Sequence, residues 1–437
     1  MPVTGGAESA IDLLSGFDSQ RLQAVYPIDG DPAVQELAKL VYRVRHIDPR
    51  VLSARALSSG LATESELTDR GTIGDAVAFK GTVTAMRIIE LPPQLAEYLE
   101  FTQLHVATIH DPDSDSNFEL VTDKFASQAS PGDHIEGVGV VIESGPGNPA
   151  PIVAIATADV RWFPQQVKNQ GWRLLRDAGV DMGLMAGLAA RNRRPLETAD
   201  SDAFYAWLGA ARAVARADTL PTPQSVQPLD MLQQPDELVG QWLEIDVQTV
   251  QITRVTVSVP QRREALGGDH YFQIDAIGDL QQVVVEIQPS EPGEQKVSFQ
   301  GRYPVSLVVA ELPEFLRQRM AAETGDDSVV TSLHTKIRVR GFFFRLWSYE
   351  SEYMTLAGGG KQFGPLIVAA QIMDLEPPAA ADPPASDAIA IAAAGVVLAA
   401  IVGIFWWHRK TEAQDRAIRQ TRQDRQSERT KFPSNST

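Results

Sequence analysis

Residues 74–91 read GDAVAFKGTVTAMRIIEL and residues 132–144 read GDHIEGVGVVIES; LHVATIHD (104–111), NFELVTD (117–123) and PIVAIATADVRWF (151–163) complete a set of five apolar runs. Val, Ile, Thr and Phe dominate each run, and Gly, Pro, Asp or Ser bounds it, which is the composition of strands separated by turns. The polar stretch 111–117 fits a hairpin turn. A short segment, Lys124 to Ser130, precedes Pro131-Gly132-Asp133 and the fourth run, and a small helix is expected there. The first run is long and has Gly81 at its middle, where a strand can bend sharply.

Five strands with a long curved first member and a small helix before the fourth resemble an oligonucleotide/oligosaccharide-binding barrel, the OB-fold. The β pattern resumes from Val239 to Pro377 in GQWLEIDVQTVQITRVTVSV, HYFQIDAIG, QQVVVEIQ, YPVSLVVAEL, TKIRVRGFFFRLWSY and GPLIVAAQI. Within it KIRVRGFFF (336–344) echoes HIEGVGVVI (134–142), and PLIVAAQIMD (365–374) echoes PIVAIATAD (151–159). The spacing between matched pieces varies, as in a degenerate duplication with insertions.

Helical spacing occupies the remainder. In the N-terminal segment, 1–73, Val34, Leu37, Leu40, Val41 and Val44 recur on one face behind Asp31-Pro32; a short helix follows Asp48-Pro49, and Ser58 to Gly71 reads as a loop. Residues 164–218 form a helical bridge, with Thr198 to Asp202 supplying polar caps for its last helix. Residues 219–238, with Pro221, Pro223, Pro228 and Pro235, read as a linker, and 378–387 as an extended spacer. The expected fold class is therefore α+β: OB-like domains at 74–163 and 239–377, bridged by helices, plus one C-terminal transmembrane helix.

That helix is residues 388–407, AIAIAAAGVVLAAIVGIFWW, twenty residues without a charge. Its length, about 30 Å as a helix, matches a bilayer's hydrocarbon core. Gly395, Ala399 and Gly403 repeat every fourth residue, a stripe of small side chains on which two spans can pack as a homodimer. The tail, 408–437, holds eight bases against four acids and is expected to continue as a charged helix before fraying, whereas residues 1–387 hold 31 bases against 52 acids. Such an acidic bulk stands off from nucleic acid and anionic headgroups, so nucleic acid is an unfavoured partner. The positive-inside rule places the basic tail in the cytoplasm. Against it, Met1 to Gln20 lacks the basic start and apolar core of a signal peptide, and this favours a bulk on the cytoplasmic side of the cell membrane. A different start codon would reverse that preference.

Chemical motifs are few. The chain has no cysteine, which excludes disulfides, zinc–thiolate sites and thiol nucleophiles. Asp111, Asp113 and Asp115 alternate like a calcium loop, but Ser116 and Thr122 stand where that loop needs Gly and Glu, so a solvated turn is expected. Gly358-Gly359-Gly360-Lys361 lacks the spacing of a phosphate loop. No catalytic residue, cofactor or metal site follows from these patterns.

The candidate interaction surface is the strand Lys336 to Tyr349. Lys336, Arg338 and Arg340 alternate with apolar residues and should point outward. A bulge at Gly341 would turn Phe342, Phe344 and Leu346 inward, leaving Phe343, Arg345, Trp347 and Tyr349 to extend the outer row. Bases interleaved with aromatics suit single-stranded nucleic acid. The favoured expectation is nevertheless that helices or the first barrel cover this face as an internal interface, in keeping with twelve bases against eighteen acids over 239–377.

GFFFRLWSYESEYM (341–354) and WRLLRDAGVDMGL (172–184) resemble uncharacterised single-span membrane proteins of planctomycete type; the resemblance implies no activity and assigns no residue a role. The expected function is that of a membrane-anchored, non-enzymatic binding or scaffolding protein with protein partners. A single-stranded nucleic-acid binder, or an enzyme without a recognisable motif, is the alternative. Full-length protein is expected to stay with membranes through high salt and carbonate, while a chain ending at Asp387 is soluble. Carbonate release of the full-length chain, followed by immunoblot, would count against the span.

Overall fold

A computed structural model describes residues 9–56, 73–145, 152–288, 295–324, 329–350 and 359–376, with Met354 and Ala357. One compact unit extends to Leu375. The 58–71 loop, the spacer, the span with Gly395, Ala399 and Gly403, and the basic tail lie outside the described residues. Among the described residues no helix is long and apolar enough to cross a membrane.

The five runs of the first β region form β1 (Ala76–Glu90), β2 (Gln103–Asp111), β3 (Ser116–Thr122), β4 (His134–Gly145) and β5 (Ile152–Phe163). They close a barrel in the order β1-β2-β3-β5-β4, with β4 returning to β1 and a parallel contact between β3 and β5. This order is that of an OB-like barrel. Phe79 on β1 and Phe118 on β3 belong to strands that are not neighbours, yet their ring centroids are 6.1 Å apart; the two rings meet inside the barrel. Gly81 is buried where a side chain would run into the His110 carbonyl oxygen at 2.5 Å, so the tight bend there requires glycine.

The outer face of this barrel is covered by the N-terminal segment. Helix α1 (Gly30–Arg45) buries Leu37, Ala38, Leu40, Val41 and Val44, the stripe read from the sequence, against Val138, Val140, Ala154 and Ala156 of β4 and β5. Burying each of the leucine and valine side chains is worth about 1.5–3 kcal/mol relative to exposure. Asp48 caps the helix Pro49–Arg55 by accepting from the Arg50 amide.

The expected helix between β3 and β4 is absent: residues 123–133 are turns. Asp133 explains why, because its carboxylate draws in the Ser130 amide, the Gln165 amide and the Trp162 indole N–H, pinning the segment in place. A different helix recurs instead. Helix α2 (Pro93–Leu99) joins β1 to β2 in seven residues, begins with proline and ends on Glu100 in the left-handed conformation (φ 62°).

Helix α3 (Gln170–Asp177) and helix α4 (Ser201–Val214) form the bridge, and between them Met182–Met185 and Ala189–Arg191 are single tight turns. The 219–238 linker reading is corrected outright. That stretch forms β6 (Gln224–Ser225) and two short helices begun by Pro228 and Pro235, and it buries Val226, Met231 and Leu238. Two of its four prolines, Pro228 and Pro235, stand at first helical turns, where a missing N–H costs nothing.

The second β region comprises β7 (Trp242–Thr256), β8 (His270–Ile287), β9 (Val297–Val309), β10 (Val330–Ser332), β11 (Lys336–Tyr349) and β12 (Gln362–Asp374). The runs HYFQIDAIG and QQVVVEIQ are one strand, β8, irregular at Gln281 (φ 54°). β7 pairs with β8, β8 with β9, β9 in parallel with β12, β12 with β11, and β11 with β7. These five pairings close a second ring with the strand order of the first. The echoed segments fall on its fourth and fifth strands, β11 and β12. Helix α5 (Pro260–Leu266) matches α2 in length, in its leading proline and in its left-handed end, here at Gly267 (φ 72°). Helix α6 (Glu314–Thr324) precedes β10 and the fourth strand, so the second copy alone has a helix there.

Register shifts at Gly341, as expected for a bulge. A Cβ at this position would stand 2.4 Å from the Val368 carbonyl oxygen and 2.9 Å from the Ala369 Cα, both fixed backbone atoms. Gly341→Ala is therefore expected to destabilise the chain by about 1–3 kcal/mol, read as a lower urea midpoint at unchanged slope. An unaltered midpoint would mean that the two strands separate freely at the bulge.

Candidate interaction surface on the second barrel

β11 lies between β7 and β12. In its first half the alternation holds: Ile337 and Val339 are buried, while Lys336, Arg338 and Arg340 face outward. The charges of Arg338 and Arg340 are answered within the sheet. Asp246 and Glu244 sit directly opposite on β7; Arg338 reaches both Asp246 oxygens at 2.7 and 2.8 Å, and Arg340 reaches Glu244 at 2.7 Å. The hydrogen bond and charge of Asp246 hold the Arg338 guanidinium still more firmly protonated.

Past Gly341 the expected outer row is not on the surface. Phe343 and Arg345 are wholly buried, at 0% exposure, and Trp347 and Tyr349 are half-buried with their rings stacked 4.5 Å apart. Phe342, Phe344 and Leu346 are buried as expected, Phe342 and Phe344 against Trp207 of α4. The correction has a definite cause. Residues 240–241 and 191–195 run along this edge: Gly240 donates to the Phe343 carbonyl and Arg193 to that of Leu346, while the Leu346 and Ser348 amides donate to Asn192 Oδ1 and the Arg194 carbonyl. The face is an internal interface.

Arg345 anchors that interface. Its Nη1 donates to the carbonyls of Arg191 (2.6 Å), Arg194 (2.9 Å) and Leu346 (3.0 Å), and its Nη2 to the Pro195 carbonyl (2.7 Å) and Asp200 Oδ2 (2.6 Å). Asp200 also accepts from Arg191 Nε at 2.7 Å and from the Glu197 amide at 3.0 Å. Burial opposes the Asp200 charge, but the Glu197 amide, Arg191 and Arg345 together outweigh it and hold its pKa below the ordinary value.

Sequence reasoning also missed a buried titratable pair in the first barrel. Both Asp123 oxygens and His105 Nδ1 are buried without a hydrogen-bond partner, and the nearest cation to Asp123 is Arg45 Nη1 at 3.7 Å. Burial pushes the Asp123 carboxyl up and the His105 imidazole down, favouring the neutral form of each. An aspartate that follows an apolar strand carries no mark of burial in the sequence. The alternating aspartates form a turn, as expected: Asp111 accepts from the Asp113 amide and the Ser114 hydroxyl, and Asp113 pairs with Lys80. Among the described residues no three metal-ligating side chains stand together.

No family model matches the chain, and no curated protein matches it. Among solved structures it is similar to a deletion mutant of the single-stranded DNA binding protein from Thermus aquaticus, at 10% identity and a TM-score of 0.15, over 71% of this chain and 97% of that one. Likeness at this level adds nothing to the fold, which rests on the strand pairings above.

Asp200→Ala is expected to cost about 3–5 kcal/mol, since it leaves the Arg345 charge buried without a counter-charge, and Arg345→Met to cost less, since Arg191 still pairs with Asp200. The double variant should lose less than the sum. Because the folded pKa of Asp200 is depressed, its stabilisation is complete above the ordinary carboxylate value and is lost as pH falls through the depressed one. Chemical denaturation of all three variants across that acid range checks both; strict additivity would show that the two residues act separately.

Proposed function

We propose that this chain is a membrane-anchored, non-enzymatic binding or scaffolding protein that engages protein partners through its paired β-barrels. The observation that carries the reading is the pairing of Arg338 with Asp246 and of Arg340 with Glu244. A strand whose two outward arginines are already paired with carboxylates, and whose aromatic half lies under the chain's own bridge, offers single-stranded nucleic acid little free charge and little stacking surface. The net charge of −17 supports the same choice, and the uncharged stretch 388–407 supports the anchor. Single-stranded nucleic-acid binding is the alternative.

Fluorescence anisotropy of a labelled oligothymidine with full-length protein in detergent separates the two. No binding at micromolar protein and low salt is expected. Association whose logarithm falls linearly with log salt, and which weakens in Arg338→Ala, would overturn the reading in favour of nucleic acid.

A further inference from the structure

In the second barrel, β12 pairs with β11 along its whole length, but with β9 only from Leu366 to Val368. From Ala369 onward the two parallel strands part. The Leu375 amide donates to the Lys336 carbonyl, and antiparallel alternation then turns the Met373 and Gln371 amides toward β11 as well. The Ile372 N–H and C=O must point the other way, into the fork. A cavity of about 450 Å³ occupies it, between Ala369–Met373 on one wall and Val309–Pro313 on the other, with Arg212 and Arg216 from the end of α4.

The matching fork of the first barrel is filled. There β5 pairs with β3 only from Ala154 to Ala156, and the Trp162 amide, farther along β5, donates to Asp181 Oδ1 at 2.9 Å. Met182 and Met185 of the same turn are buried. β11 likewise has its loose edge covered by residues 191–195 and 240–241. Arg319 of α6 pairs with the Asp374 carboxylate at the end of β12, but among the described residues no segment hydrogen-bonds the Ile372 main chain.

The cavity also has a charge preference. Arg212 and Arg216 share one carboxylate, Glu311, and Arg212 Nε is buried with no hydrogen-bond partner. An excess of guanidinium on so acidic a chain selects a carboxylate.

We propose that this fork is a docking site for an extended segment of a partner protein, which adds to β12 as a strand beside Ile372 and brings a carboxylate to Arg212 and Arg216. Strand addition supplies main-chain hydrogen bonds for affinity, and the arginines supply specificity. An edge of five residues takes a partner segment of about the same length. The inference rests on the protein-binding reading and gives it a location.

The test uses full-length protein in detergent and a random peptide library displayed on phage. Enriched peptides are expected to carry Asp, Glu or a free C-terminal carboxylate, and to bind Arg216→Glu at least about tenfold more weakly. Ile372→Pro, which removes an N–H that β11 does not use, should weaken binding similarly. Should that variant fold poorly, the same peptides N-methylated at alternate residues test strand addition on the unaltered protein, and they should lose binding. Peptides indifferent to N-methylation, or equally bound by Arg216→Glu, would overturn the docking site while leaving protein binding elsewhere intact. Failure to enrich any peptide would overturn the docking site as well, whereas failure of the broader reading shows in the oligonucleotide titration.

Discussion

The guanidinium of Arg345, wholly buried and joined to Asp200 at 2.6 Å, is the constraint on which the arrangement of the second half depends. A charge so enclosed costs several kcal/mol in lost hydration and persists only when most of its donors are answered, as both Nη atoms are here while Nε alone lacks a partner. Four of its five acceptors are backbone carbonyls or a carboxylate from residues 191–200, so that segment is fixed in place along β11. Asp200 immediately precedes α4, whose Phe204 and Trp207 then pack edge-on to Phe344. One ion pair thus sets the end of a strand, the course of a loop and the start of the helix that covers the sheet. Such pairs specify geometry more reliably than they add stability, since apolar substitutes of similar volume pack equally well.

Much of the architecture was legible in the sequence because it follows from local periodicity. The strand runs, the apolar stripe of α1 and the glycine bulge at position 341 all arise from spacing along a few residues. So do the echoes between β4 and β11 and between β5 and β12. What escaped was the helix shared by the two copies. α2 and α5 agree in length, in a leading proline and in a left-handed final residue, but Glu100 and Gly267 differ as amino acids. Conformation was kept there while chemistry was not.

The outer row of the candidate surface was legible only as far as Gly341. Before it, alternation alone decides which side chains face out. Beyond it, the outcome turns on Asp200, which lies 145 residues upstream of Arg345, and no local pattern announces that meeting. An arginine on a strand is solvated unless something distant covers it, so the acidic balance of the region could favour a covered face without naming the segment that covers it. Residues 219–238 misled for a related reason. Proline marks both a linker and the first turn of a helix, and only the burial of Val226, Met231 and Leu238 tells the two apart.

The strand order shared by both rings carries an inherent weakness. Its parallel contact spans three residues in each copy, after which a twisted fifth strand must leave the third and expose one edge. In the first copy the chain returns at once, and Asp181 with its methionines closes the gap. In the second copy α4 ends beside the gap and contributes arginines in place of a covering segment. Repetition of one strand order is what allows this division. With one copy's outer face committed to the N-terminal helices and its fork sealed, the other can keep an open edge without loss to the common core, because the edge lies outside the pairings that close the ring.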